Sequence, residues 1–356
     1  MTSPPSQKAQ SEPVTQPLPV TTRIYSFLIL WALKIASTAA FKILRGLSPT
    51  PKELRPLIKS YPCRPALRHR IFIPSSYQTG TLPLYIDIHG GGFALCDAQF
   101  DDEFCYDFAN TFKVLVVSVE YALAPANKFP GPTNDVVAIA LAIMNDPSLP
   151  VDTKRIVLGG FSAGGNLALS AGQSLDLRGK IHGVVSWYPV TDFTLDLKEK
   201  QMSRPYRNAK DTDVLGDYTP VFDWGYIPRG QFLKDPRLSV RYAGPKTCLP
   251  KWIYVIGAQY DMLANEAREC IFDIASLEAE ERQSGREGFE KDTYKWTLVK
   301  GVRHGFTHQT GDCKGEDEIM RTTKRQEMMH AVAEWLFNGP FSIASPMPEG
   351  SKAYAS

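Results

Sequence analysis

The run Gly160-Phe161-Ser162-Ala163-Gly164-Gly165 sets one hydroxyl among small neighbours, between the apolar stretch Ile156-Val157-Leu158 and the helical pattern Asn166-Leu167-Ala168-Leu169. A serine at a sharp strand-to-helix turn is held exposed, small flanking residues let the backbone turn without clash, and the helix N-terminus beneath it favours negative charge. That arrangement suits nucleophilic attack on an acyl carbon. A second motif, His89-Gly90-Gly91-Gly92-Phe93, directly follows the strand pattern Leu84-Tyr85-Ile86-Asp87-Ile88. Consecutive glycines after a buried strand can turn several N–H groups toward one point, as a carbonyl oxygen becoming an oxyanion requires. The flanks match neither G-x-G-x-x-G nor a P-loop with its lysine, so a phosphate cradle is not indicated.

A serine is a poor nucleophile without a base, and in this strand-turn-helix context the partners should follow in the order Ser, Asp or Glu, His. His304, in Gly301-Val302-Arg303-His304-Gly305-Phe306, lies in a loop after the strand pattern Trp296 to Val299 and is the expected base. His308 is the competing choice. His182 at a strand edge and His330 in a helical pattern read as structural. Asp261 follows the apolar run Trp252 to Ile256 and is the expected carboxylate, with Glu266, inside the next helical stretch, in reserve.

These loops need elements to hold them. Short β-rich runs at 69–74, 84–89, 114–120, 156–160, 181–187, 252–257 and 294–299 alternate with helical patterns at 133–145, 164–175, 264–280 and 321–337. Several runs are continuously apolar, as strands buried on both faces are, which predicts an α/β class with a mostly parallel central sheet flanked by helices. Two stretches break the alternation. Residues 191–248, crowded with Tyr, Trp, Phe and Pro, read as a cap insertion, and the charged segment 280–293 as a surface excursion.

The 356 residues, 43% apolar and 22% charged, are enough for a large core and exclude a disordered or fibrous chain. A formal charge of +2 gives no broad basic surface, so no nucleic-acid partner is expected. The six cysteines form no C-x-x-C pair and read as free thiols. Neither a metal nor an organic cofactor is called for. No Asn-x-Ser/Thr acceptor is present, which favours a cytoplasmic or membrane-associated intracellular location over secretion. Oligomeric state is not encoded in any motif.

Residues 1–22 and 339–356 have the composition of disordered tails. Residues 23–68 read as an amphipathic cap or membrane-contact segment, and 69–338 as the main domain. Within the apolar stretch 24–47, Lys34, Ser37, Thr38, Lys42 and Arg45 fall on one helical stripe. Such a helix can pack on its own domain, lie in a membrane interface or span a bilayer. A buried Lys34 disfavours the span by about 2.5 to 3.5 kcal/mol. The packed form would cover the pocket with the apolar face and turn Lys34, Thr38 and Lys42 to water.

Taken in order, His-Gly-Gly-Gly, Gly-x-Ser-Ala-Gly-Gly, Asp-x-Leu and His-Gly-Phe resemble the motifs of the hormone-sensitive-lipase-like, arylacetamide-deacetylase-like branch of the α/β-hydrolases. Glu120-Tyr121-Ala122-Leu123-Ala124-Pro125, Phe129-Pro130 and Asp135-Val136 add to the likeness, which covers residues 69–337. The resemblance implies an α/β-hydrolase fold with a helical cap. It implies a serine carboxylic-ester hydrolase acting on small to medium apolar esters, with Ser162, Asp261 and His304 catalytic and the N–H groups of Gly91, Gly92 and Ala163 forming the oxyanion hole, supported by His89 and Gly90. A role in natural-product tailoring is one setting. Amide or formamide hydrolysis, acyl transfer to an alcohol, and a silent ligand receptor are the rivals. Three departures stand out: Phe161 where the family commonly has Asp, Ala122 for Arg, and Ala264-Asn265-Glu266 for Arg-Asp-Glu.

Overall fold

The computed structural model describes residues 14–47, 55–204, 213, 215–243, 249–308 and 315–342. The continuously apolar runs form β3 (Leu82–Ile88), β4 (Leu115–Val119) and β6 (Gly183–Trp187), buried along nearly their whole length. Strands of this kind need cover on both faces. They sit with β1 (Leu57–Tyr61), β2 (Arg64–Phe72), β5 (Val151–Phe161), β7 (Trp252–Tyr260), β8 (Gly288–Lys291) and β9 (Tyr294–Arg303) in a nine-stranded sheet of order β1-β2-β4-β3-β5-β6-β7-β9-β8. Pairing is parallel from β4 across to β9 and antiparallel at both edges.

Helices α2 (Asp102–Phe112) and α9 (Glu316–Asn338) close one face with Phe104, Phe108, Met329 and Leu336. Helices α3 (Gly131–Met144), α4 (Ala163–Gly172) and α7 (Ala264–Ile274) close the other with Ile139, Leu167 and Ile271. Between β6 and β7 the chain leaves the sheet to build a cap containing α5 (Leu197–Met202) and α6 (Thr219–Tyr226). The buried Glu266 carboxylate pins the exit point, accepting from the N–H groups of Thr191 (2.7 Å) and Asp192 (3.2 Å) and pairing with Lys200 of α5 at 2.8 Å.

Four expectations change. The sheet begins at Leu57 rather than 69, because β1 is an edge strand in which only Tyr61 is buried, leaving no apolar run to announce it. The tails are shorter than composition suggests: Val14 bridges to Phe232, Thr15 N–H donates to Gln231, and Phe341 is buried. Residues 1–13 and 343–356 lie outside the described residues. Segment 280–293, expected as a surface excursion, carries regular structure, the short helix α8 (Ala279–Ser284) and the edge strand β8.

The fourth change is the orientation of α1 (Val20–Leu47), which lies along the cap. Lys34, Ser37 and Arg45 of its polar stripe turn toward the protein. Lys34 Nζ donates to the carbonyls of Ala94 (2.6 Å) and Ala124 (2.9 Å), and Arg45 forks onto Asp97 at 2.7 and 2.9 Å. Leu30 is buried against α6 at Gly225, where a Cβ would stand 2.7 Å from its methyl. Lys34 therefore does not face water: turn carbonyls need a donor, and a four-carbon stem reaches them while packing along the cap. Thr38 and Lys42 are exposed, as expected.

Candidate active site

Parallel strands deliver their carboxyl ends to one edge of a sheet, so the loops after β3, β5, β7 and β9 converge there. Residue 162 sits at the turn from β5 into α4, with φ 56° and ψ −115°, a strained conformation for a side chain with a Cβ. The turn is tight. A Cβ on Gly164 would stand 1.9 Å from the carbonyl oxygen of Ile88, the last residue of β3. Only glycine lets α4 start so close to the neighbouring strand. Ser162 N–H donates to Trp187 O at 2.8 Å, which fixes the turn to β6.

Asp261 follows β7 and His304 follows β9, neighbouring parallel strands. The structure brings the three side chains into one line: Ser162 Oγ lies 2.9 Å from His304 Nε2, and His304 Nδ1 lies 2.7 Å from Asp261 Oδ2. Asp261 is fully buried, and its other oxygen accepts from Leu263 N–H at 2.9 Å. The network requires an Nδ1–H tautomer, leaving Nε2 free to accept from the serine. Burial opposes charge on His304, but the Asp261 carboxylate outweighs it, aided by Asp213, and the imidazole pKa is raised above its ordinary value.

The glycine loop packs beside the serine. β3 and β5 pair Ile88 with Gly160, and a Cβ on Gly90 would lie 3.5 Å from that of Ser162. Gly91 has φ +100° and accepts from the N–H groups of both Ala94 and Leu95 through its carbonyl. Among the described residues the Gly91 and Gly92 N–H groups donate to no protein acceptor, and the Ala163 N–H belongs to the first turn of α4, which has no intrahelical acceptor. His89 buttresses the loop: buried and stacked on Tyr121, it is hydrogen-bonded to Gly90 O at 2.8 Å and lies 3.3 Å from Glu120. Burial works against its charge, yet Glu120 prevails and lifts its pKa to about 9.

The remaining candidates lie elsewhere. His308 is buried against the Phe161 ring with Nδ1 2.9 Å from Thr307 Oγ1, and burial pushes its pKa down to about 3. Glu266 holds the cap. His182 Nδ1 accepts from Ile156 N–H, and His330 packs edge-on to Phe112. Among the described residues no group of three or more His, Cys, Asp and Glu is placed to hold a metal ion.

A family model described as alpha/beta hydrolase fold matches residues 85–283. The chain belongs to the alpha/beta hydrolase fold family. Within it, the ordered glycine, serine, aspartate and histidine motifs put it in the hormone-sensitive-lipase-like branch. Over 125 residues, or 34% of its length, it is 35% identical to versiconal hemiacetal acetate esterase of Aspergillus parasiticus, and over 202 residues, or 55%, it is 34% identical to an arylesterase of Saccharolobus solfataricus. The matches span 38% and 63% of those relatives, less than two thirds of either. The fold is that of a hyperthermophilic esterase from the archaeon Pyrobaculum calidifontis, with a TM-score of 0.68 at 24% identity, covering 91% of this chain and 99% of that one.

Two features of this alpha/beta hydrolase escaped the sequence reading. Asp213, in the cap, accepts from Met262 N–H at 2.7 Å and so sits beside the loop that carries Asp261; nothing in its local sequence marks it. Phe222 of α6 lies on the glycine loop, so that a Cβ on Gly92 would stand 2.8 Å from its ring. An aromatic in a cap insertion was the only available signal. Phe161, the departure beside the serine, is buried among Phe104, Trp187, Tyr188 and His308 and packs away from solvent.

Proposed function

We propose that this chain is a serine hydrolase of carboxylic esters with small to medium apolar groups. The observation that carries the reading is the unbroken hydrogen-bonded line from Ser162 through His304 to a buried Asp261, beside glycine N–H groups without an acceptor among the described residues. Ser162 Oγ attacks the acyl carbon while His304 Nε2 takes its proton, and the N–H groups of Gly91, Gly92 and Ala163 receive the oxyanion. Collapse of that adduct breaks the ester C–O bond, and His304 returns the proton to the leaving alcohol. Water deprotonated by His304 then attacks the acyl-serine, releasing the acid and restoring Ser162. Asp261 keeps the imidazole in the required tautomer and stabilises its charged form.

The ring of Phe222 packs on Gly92 of the glycine loop, which supports a reading in which the cap crowds the acyl site and compact acyl groups are preferred. The name of the Aspergillus parasiticus relative, a hemiacetal acetate esterase, supports the same preference. The test is turnover of p-nitrophenyl esters from acetate to laurate with Ser162→Ala as control. Hydrolysis falling with chain length, and lower by roughly 10⁴-fold or more in the variant, is expected. Turnover unaffected by the substitution would refute the assignment.

A further inference from the structure

Helix α1 inverts the usual amphipathic arrangement. Arg23, Ser26, Lys34, Ser37 and Arg45 lie on the side that meets the protein, half-buried or buried, while Ile24, Leu28, Trp31, Ile35 and Ile43 on the opposite side are 40% to 67% exposed. An exposed apolar stripe this long, on one helix, is normally covered. By length and composition the helix could cross a membrane. Its contacts forbid that while it is docked. Phe27 meets Trp224, Leu30 fills the notch at Gly225, Lys34 holds two carbonyls, Phe41 meets Phe100 and Arg45 grips Asp97. These anchor points run from Phe27 to Arg45, 19 residues and about 27 Å of helix axis, which is nearly the thickness of a hydrocarbon core. One flank is therefore committed to a folded domain along that length, and a bilayer cannot surround it.

We propose that α1 lies in the plane of a lipid surface, its outward apolar face inserted among acyl chains and the domain resting above. Charge supports a lipid surface as the occupant. Along the edge between the docked and free faces runs a cleft of about 180 Å³ lined by Lys34, Ser37, Thr38, Lys42, Arg45 and the Ala94–Asp97 turn. Its three cations outnumber its one carboxylate, Asp97. Lys42 has no hydrogen bond or ion pair among the described residues, and hydroxyls stand beside it. A phosphate headgroup at the level of an interfacial helix meets cations and hydroxyls at this edge, with apolar side chains below. The surface holds whatever the chemistry of the serine site. Helix α6 meets α1 at Gly225 and the glycine loop through Phe222, so the lipid-facing helix and the serine site share one cap helix.

Flotation of the full chain with vesicles tests this. Wild-type protein should float with phosphatidylcholine vesicles containing phosphatidylserine, less with phosphatidylcholine alone, and be released by alkaline carbonate. Ile24→Ser combined with Ile35→Ser should abolish flotation on both, with melting temperature and circular dichroism showing that the fold is kept. Lys42→Ala, which leaves the apolar face intact, should weaken binding to the anionic vesicles about five-fold and leave neutral ones unchanged. Resistance to carbonate, an unaltered Lys42→Ala, or wild-type protein that stays with the soluble fraction overturns the proposal. Dimers that the double serine variant dissolves, with no flotation, would assign the face to a second copy of the chain and overturn it equally.

Discussion

At the site, the pull on His304 comes from two carboxylates, Asp261 in direct contact and Asp213 from the cap, both working against burial. In the proposed mechanism the imidazole serves as a base only when neutral. Its raised pKa therefore puts the acidic limb of the kcat/KM profile above the ordinary histidine value of about 6.5. Asp261→Asn removes the main pull and leaves burial, so the limb should move to lower pH while turnover on its plateau drops roughly 10⁴-fold through the wrong tautomer. Asp213→Asn should move the limb the same way by less. A pH series of p-nitrophenyl acetate turnover reads both, and a limb that stays in place in Asp261→Asn would exclude that carboxylate as the partner of the base. Glu266→Gln should leave the limb unmoved, since Glu266 meets Thr191, Asp192 and Lys200 instead.

Among the elements, β5, its serine turn and α4 were legible because glycines are required where Gly160 and Gly164 let a helix start against a neighbouring strand. So were the strands buried on both faces. The edge strands β1 and β8 were not, because one-sided or exposed strands carry few apolar residues. Nor was α2, whose start is marked by Asp101 and Asp102 without a hydrogen-bonded cap. The facing of α1 was misread because its stripe of polar residues satisfies protein carbonyls rather than water, a choice only tertiary partners reveal. Of the candidate site, Ser162, Asp261 and His304 follow strand ends and stand out in the sequence, whereas Asp213 and Phe222 arrive from the cap, which has no period to read. Phe161 tests the same logic. Phe161→Asp restores the residue common in the family but buries a carboxylate among aromatic rings and a neutral His308. Urea unfolding should show a loss of at least about 3 kcal/mol, and an unchanged midpoint would mean that this pocket admits water.

For the whole molecule, the question is what keeps the cap seated on the sheet domain. Lys200 of α5 stands at the centre, 2.8 Å from Glu266 of α7, both nearly shut off from water, and faces the half-buried Asp223 of α6. Burial raises both carboxyl pKa values, Asp223 to about 6, while Lys200 pulls each of them down. Removing the cation should cost more than the pair contributes, because it strands negative charge in a dry site. Lys200→Ala is therefore expected to lose about 3 to 5 kcal/mol at neutral pH. The sign with pH follows from the direction of the shifts. With Lys200 gone, both folded carboxyls titrate still further above their unfolded values near 4. The deficit is then complete above the folded pKa values, shrinks as the pH falls through them, and is gone below the unfolded ones. Lys200→Met with Glu266→Gln, which removes the contacting ion pair and leaves only Asp223 without its cation, should recover part of the loss at pH 7. Urea midpoints at pH 7 and pH 5 for wild type, the single variant and the double variant decide it. If the single variant is no closer to wild type at pH 5 than at pH 7, stranded carboxylate charge is not what unseats the cap.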